Sequence, residues 1–363
     1  MPDASMNATF IDVVVRARGN DESAAIGGAV GGRTGVSGNS NKYQDFQTYM
    51  EGRERAIFKE IEALYGGTAS KVHTGVSTPA KLQMPYVVMD CGNDAQGAIA
   101  SYNGYAITFY KRAYKLFKTM KAAEQNGDKA MADKIAYSLD QIVGHELGHA
   151  LLHTSYFNYD PYYSYSSGAY RRKDDGLAEV IGFYVAQKVN GKQTDNGAVA
   201  DAILLKVKAK AEDILIFNDK TKREWQSLTA KEKRDRAYEA EIHGERLIYY
   251  DYPLVGFATA LKANPSMDLA EFIATSLENP QKLRGLTTYV TNIRGKGLQV
   301  ENAPGLARIG MPVDDAEMDR QMALQSDVYT DLLNKVNALL KGGSSGGSVA
   351  SIRLDGLLRE DSR

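Results

Sequence analysis

The chain has 363 residues, 43% of them apolar and 25% charged, which is enough for a substantial core and for one to three domains. A formal net charge of −1 gives no electrostatic case for nucleic acid, and a single cysteine, Cys91, excludes an internal disulfide framework. No run nears the roughly 18 apolar residues of a membrane span, and no basic region followed by an apolar run marks a Sec signal. A soluble chain is therefore expected, cytoplasmic or exported by a non-Sec route.

Residues 10–18 read as a short strand, and the glycines from Gly27 to Gly38 read as a linker, without the pattern of a phosphate loop. Residues 43–65 are predicted helical, with Phe46, Met50, Ile57, Ile61 and Leu64 as the apolar side and Gly66-Gly67 as the stop. Residues 85–90 and 105–110 read as strands, the second opened by an Asn103-Gly104 turn. Helices are expected over 111–126 and about 129–153, separated by Asn126-Gly127-Asp128. A tyrosine-rich stretch over 156–170 reads as a loop. A helix over about 174–190 follows, for which Asp174 or Asp175 would serve as N-cap. Further helices are predicted at roughly 197–217, 229–250, 253–263 and 267–278, a strand pair over 286–300, and a long helix over 312–340. This divides the chain into an N-terminal strand and linker (1–41), one main domain (42–341) and a Gly/Ser linker with a short tail (342–363). Within the main domain an upper part covers about 42–154 and a mostly helical lower part about 155–341.

The chemistry concentrates at His145-Glu146-Leu147-Gly148-His149. Its apolar neighbours Ile135, Leu139, Ile142, Val143, Ala150 and Leu151 fall at helical spacing, so the two histidines project from one face and can share a metal ion. Glu146 follows about 100° round the helix, within reach of a water on that metal. This is the H-E-x-x-H arrangement of zinc peptidases, in which the Glu acts as general base. With only five histidines in the chain, chance would produce it in well under about one chain in a hundred.

A catalytic zinc site needs a third protein ligand. His153 lies two turns and ~12 Å beyond His145, too far unless the helix breaks after His149. Glu179 is the favoured candidate: it lies on the next predicted helix, beside the small residues Gly176, Ala178 and Gly182 that permit close packing. Asp174 and Asp175 are alternatives, although a helix start explains them without metal.

The pair of motifs His145-Glu-Leu-Gly-His149 and Gly176-Leu-Ala-Glu179 resembles the gluzincin group of zinc metallopeptidases, which resemble thermolysin in bringing a downstream Glu from a second helix. The resemblance implies a helix-rich α+β fold of zincin type: a small mixed sheet with an edge strand over the active-site helix, then a mostly helical lower half. It departs from the metzincins, whose third His and Gly would fall at Ser155 and Leu152. The Asp that thermolysin-like enzymes carry four positions after the ligand Glu would fall at Phe183, so the partner of the His ligands has to come from elsewhere.

The expectation is a Zn2+-dependent peptidase, an endopeptidase rather than an exopeptidase, acting on a protein or peptide held along an edge strand. His145, His149 and Glu179 would bind the metal and Glu146 would move the proton. His243 and Tyr250 are candidate donors to the oxyanion. The rival expectations are a zinc-bearing binding or assembly module without catalysis, and a zinc hydrolase of a non-peptide substrate. The long C-terminal helix would suit membership of a larger assembly.

Overall fold

The computed structural model describes residues 42–71, 81–93, 98–159, 168–286 and 314–341. The expected strand at 10–18, both Gly-rich linkers, the strand pair expected beyond Leu286 and the C-terminal tail lie outside these residues. The chain divides into two compact units that share one helix.

The described part of the first unit opens with α1 (Gln44–Ala69), whose Phe46, Met50, Ile57 and Ile61 are fully buried. The helix runs past Gly66-Gly67. These glycines stay right-handed, and the Gly66 carbonyl accepts from the Ser70 N–H to close the last turn. Three strands follow: β1 (Tyr86–Asp90), β2 (Ala100–Tyr102) and β3 (Ala106–Tyr110). They form one mixed sheet in the order β1-β3-β2, with β1 parallel and β2 antiparallel to β3. Gly104 takes φ +102° at the β2–β3 turn, where the Asn103 side chain accepts from the Ala106 N–H at 2.9 Å. Ala100, Ile107 and Phe109 face the core against Phe46, while Tyr86 and Val88 face outward. β2 is an edge strand and packs against the helix that carries the histidine motif.

That helix, α3 (Lys129–Tyr159), follows α2 (Lys111–Gln125) across the predicted turn, with Gly127 at φ +75° and Asp128 accepting from the Met131 N–H. It does not end at His153 but continues into the tyrosine-rich stretch. The next helix, α4 (Gly168–Val189), begins well before the expected start at Asp174. Asp140 on α3 is buried and takes two 2.6 Å bonds from the Arg53 guanidinium of α1, plus one of 2.8 Å from Asn190 just beyond α4. Burying this carboxylate is tolerable because both oxygens are matched.

The second unit takes residues 172–180 of α4 and the described residues from Gln193 onward. Its described helices are α5 (Asn196–Glu224), α6 (Ala230–Arg246), α7 (Tyr252–Ala263), α8 (Leu269–Glu278) and α9 (Asp315–Lys341). Asp195 and Asp268 cap α5 and α8 through their side chains. The segment expected as one helix over 229–250 instead passes into a π turn at Leu247–Asp251. Asp251 is drawn inward there by Lys210 Nζ at 2.7 Å and the Tyr329 hydroxyl at 2.9 Å. The apolar side of α9, including Met322, Val328, Leu332 and Val336, is covered by α5 and a cluster of Phe217, Trp225 and Ala240.

Candidate metal centre

α3 and α4 meet at two glycines. A Cβ on Gly182 would lie 2.9 Å from the Gln141 carbonyl oxygen and 3.0 Å from the His145 nitrogen. A Cβ on Gly144 would lie 2.4 Å from Val185 Cγ2. Backbone therefore rests on backbone directly beside His145. The sequence had marked Gly182 for this close approach, but not Gly144. Gly176, also marked, serves a different contact: a Cβ there would strike the Phe257 ring at 2.6 Å, so it admits α7.

On α3 the His145 and His149 rings stand edge to face, with centroids 4.7 Å apart and Nε2 atoms 3.0 Å apart. Two nitrogens at about 2.0–2.1 Å from one tetrahedral ion would be about 3.3 Å apart, close to this spacing. Asp175 on α4 completes the group: one ligand atom from each of the three residues lies within 4.8 Å of the others. His145 and His149 are 1% exposed, Glu146 0% and Asp175 2%. Two imidazoles and a carboxylate, all withdrawn from water, form a donor set that could hold a metal ion.

From sequence alone, Asp175 reads as a helix start. With α4 beginning at Gly168, it lies instead in the helix interior, where aspartate has poor propensity and a buried carboxylate needs compensation. Glu179, the favoured third ligand, lies one turn further along α4, is also buried, and accepts a hydrogen bond from Lys206 of α5. Among the described residues the group that can hold a metal contains Asp175 and not Glu179. The unbroken α3 leaves His153 two turns from His145 and outside that group.

The two oxyanion candidates have places in the second unit. The His243 ring stands edge-on to Phe217 at 4.9 Å, and its carbonyl lies 3.0 Å from the Tyr329 hydroxyl. Tyr250 is half-buried in the π turn. Lys206 was missed by sequence reasoning although a signal exists. Val199, Ile203, Lys206, Lys210 and Ile214 follow one another at helical spacing, so two lysines occupy the apolar stripe of α5. A cation in that stripe implies a buried anion opposite, and Lys206 meets Glu179 while Lys210 meets Asp251.

No family model matches the chain, and neither a curated protein nor a solved structure matches it.

Proposed function

We propose that this chain is a zinc-dependent metallopeptidase in which His145, His149 and Asp175 hold the ion and Glu146 is the general base. The observation that carries the reading is the buried His145–His149–Asp175 group, with a glutamate directly after its first histidine. Asp175 takes the place first expected of Glu179. With that change Glu179 stands four positions after the ligand, where thermolysin-like enzymes carry an Asp, and the ligand itself is an Asp where the resemblance implies a Glu.

When bound, zinc supplies a Lewis acid for the scissile carbonyl and acidifies a water. His145 and His149 present unprotonated ring nitrogens to it, so binding weakens as acid protonates them. Glu146 accepts the water's proton on a carboxylate oxygen and delivers it to the leaving amine nitrogen. β2 lies at an edge of the sheet and packs against α3, and an extended peptide could pair along such an edge, which favours a peptide over another hydrolysable substrate.

Burial of all four side chains would also suit a structural zinc, and Glu146 separates the two readings because a structural site has no need of it. The test is a peptide-library digest read by mass spectrometry, with zinc present. The wild type is expected to cleave, and Glu146→Gln to lose roughly 10²–10⁴-fold in rate while keeping its zinc. Equal cleavage by both would remove Glu146 from the mechanism. No cleavage by either, with zinc bound, would favour the non-catalytic module.

A further inference from the structure

We propose that the chain's own residues 10–18 dock on the outer edge of β1 as a fourth, parallel strand. The inference stands apart from the metal-centre reading and uses none of its residues.

The sheet ends at β1, and that end is unguarded. Natural proteins keep edge strands short, or place lysine or proline on them, against stray pairing. β2, at the opposite edge, has three residues, whereas β1 has five, Tyr-Val-Val-Met-Asp, with neither lysine nor proline. The Tyr86 N–H donates to the Tyr105 carbonyl at 2.9 Å, so the backbone groups of Tyr86, Val88 and Asp90 turn toward β3. Those of Val87 and Met89 then face outward. Beside them lie four of the five large apolar side chains that stand exposed among the described residues: Met84, Tyr86 at 75%, Val88 at 42% and Tyr105. Such a concentration marks a contact surface.

The pattern of residues 10–18 fits this edge. Ile11, Val13, Val15 and Ala17 make one side of an extended segment wholly apolar, while Phe10, Asp12, Val14, Arg16 and Arg18 make the other mixed. Laid parallel to β1 with Val14 beside Val88, the apolar side would continue the half-buried Val87 and Met89. The mixed side would set Phe10 beside exposed Met84 and Arg16 beside exposed Asp90. The antiparallel arrangement with the same Val14–Val88 pair would instead oppose Asp12 to Asp90. Chain order points the same way. Parallel neighbours need a crossover, usually a helix, and α1 lies between residues 10–18 and β1 in sequence and packs against β1. With β1 covered, β2 would be the open edge among the described strands, on the side of α3.

The test uses the full chain with Cys91→Ser, so that introduced cysteines are the only thiols. A short thiol cross-linker is expected to join Val14→Cys to Val88→Cys within one chain in most molecules, as mapped by mass spectrometry. Arg16→Cys with Tyr86→Cys, neighbours only in the antiparallel arrangement, is expected to stay unlinked. An absent Val14–Val88 link, equal linking of both pairs, or links between two copies overturns the proposal. In the unaltered chain the outward amides of Val87 and Met89 are expected to exchange slowly with solvent deuterium. Val14→Pro, which removes a donor from the added strand, is expected to speed them by about tenfold or more. Fast exchange in the unaltered chain overturns the proposal, as does slow exchange that Val14→Pro leaves unchanged. If the cysteine variants do not fold, the exchange comparison decides alone. Neither readout involves metal or activity, so failure here leaves the proposed function untouched.

Discussion

At the scale of single residues, the chain buries charge where it has a partner, and Glu54 tests the rule. It lies on the apolar side of α1 between Met50 and Ile57, and its Oε1 has no hydrogen-bond partner among the described residues. Burial, chiefly, and the neighbouring Glu51 push its carboxyl up to about 7, with Arg55 opposing. The folded state therefore holds this proton more tightly than the unfolded chain, whose glutamate titrates near 4.3. The stabilisation is complete below the unfolded value and is lost as pH rises from about 4.5 to about 7. Glu54→Gln should flatten stability over that window and raise it at pH 8 by roughly 2–3 kcal/mol, as read from urea denaturation at a series of pH values. An unchanged pH profile would mean that Glu54 is ionised in the folded protein. The same rule explains which site residues were legible beforehand. His145, Glu146 and His149 were plain because their spacing has one chemical reading. Asp175 was hidden because an aspartate before an apolar run is ordinarily a cap, and only the true start of α4 removes that explanation. The Glu179–Lys206 pair joins distant stretches of sequence, which no local pattern records.

At the scale of elements, the contact that matters most for the centre is α3 on α4. Gly182→Ala would drive a methyl into the Gln141 carbonyl oxygen and the His145 nitrogen, which are backbone atoms that cannot rotate away. The helices must then separate, at a cost of about 1–3 kcal/mol and with weakened metal binding, because Asp175 rides on the displaced helix. Gly52→Ala on α1 meets nothing within 4 Å and should instead gain about 0.5–1 kcal/mol. Thermal denaturation and metal titration of the two variants make the comparison, and equal behaviour would show that the α3–α4 contact is loose. Long periodic segments such as α1, α2 and α5 were legible because burial of one face writes itself into the sequence every three to four residues. β2 was not, since three residues carry no period. The first turns of α4 (Gly-Ala-Tyr-Arg-Arg-Lys) have no apolar rhythm to announce them.

At the scale of the whole molecule, the sheet is small and helices carry most of the core, so a late helix can be as necessary as an early one. α9 shows this. Its sequence resembles an appendage, being long, amphipathic and followed by a Gly/Ser stretch, but Met318, Met322, Val328, Tyr329, Leu332 and Val336 are all buried on it. Six such side chains at roughly 1.5–3 kcal/mol each approach or exceed the 5–15 kcal/mol by which a domain is usually stable. The only tryptophan provides a direct reporter, since Trp225 is buried and its Nε1–H donates to Asp315 of α9 at 2.8 Å. Ending the chain before Asp314 should shift Trp225 emission to the red and lower the helical signal by more than the loss of α9 alone. Trp225→Phe in the full chain identifies the emission as its own. Unshifted emission from the shortened chain, with only the α9 helicity missing, would make α9 dispensable to the second unit and return it to the role of a helix awaiting a partner. The buried Tyr329 hydroxyl argues for the first outcome, because its bond to Asp251 also anchors the π turn and could not be replaced by water without opening the unit.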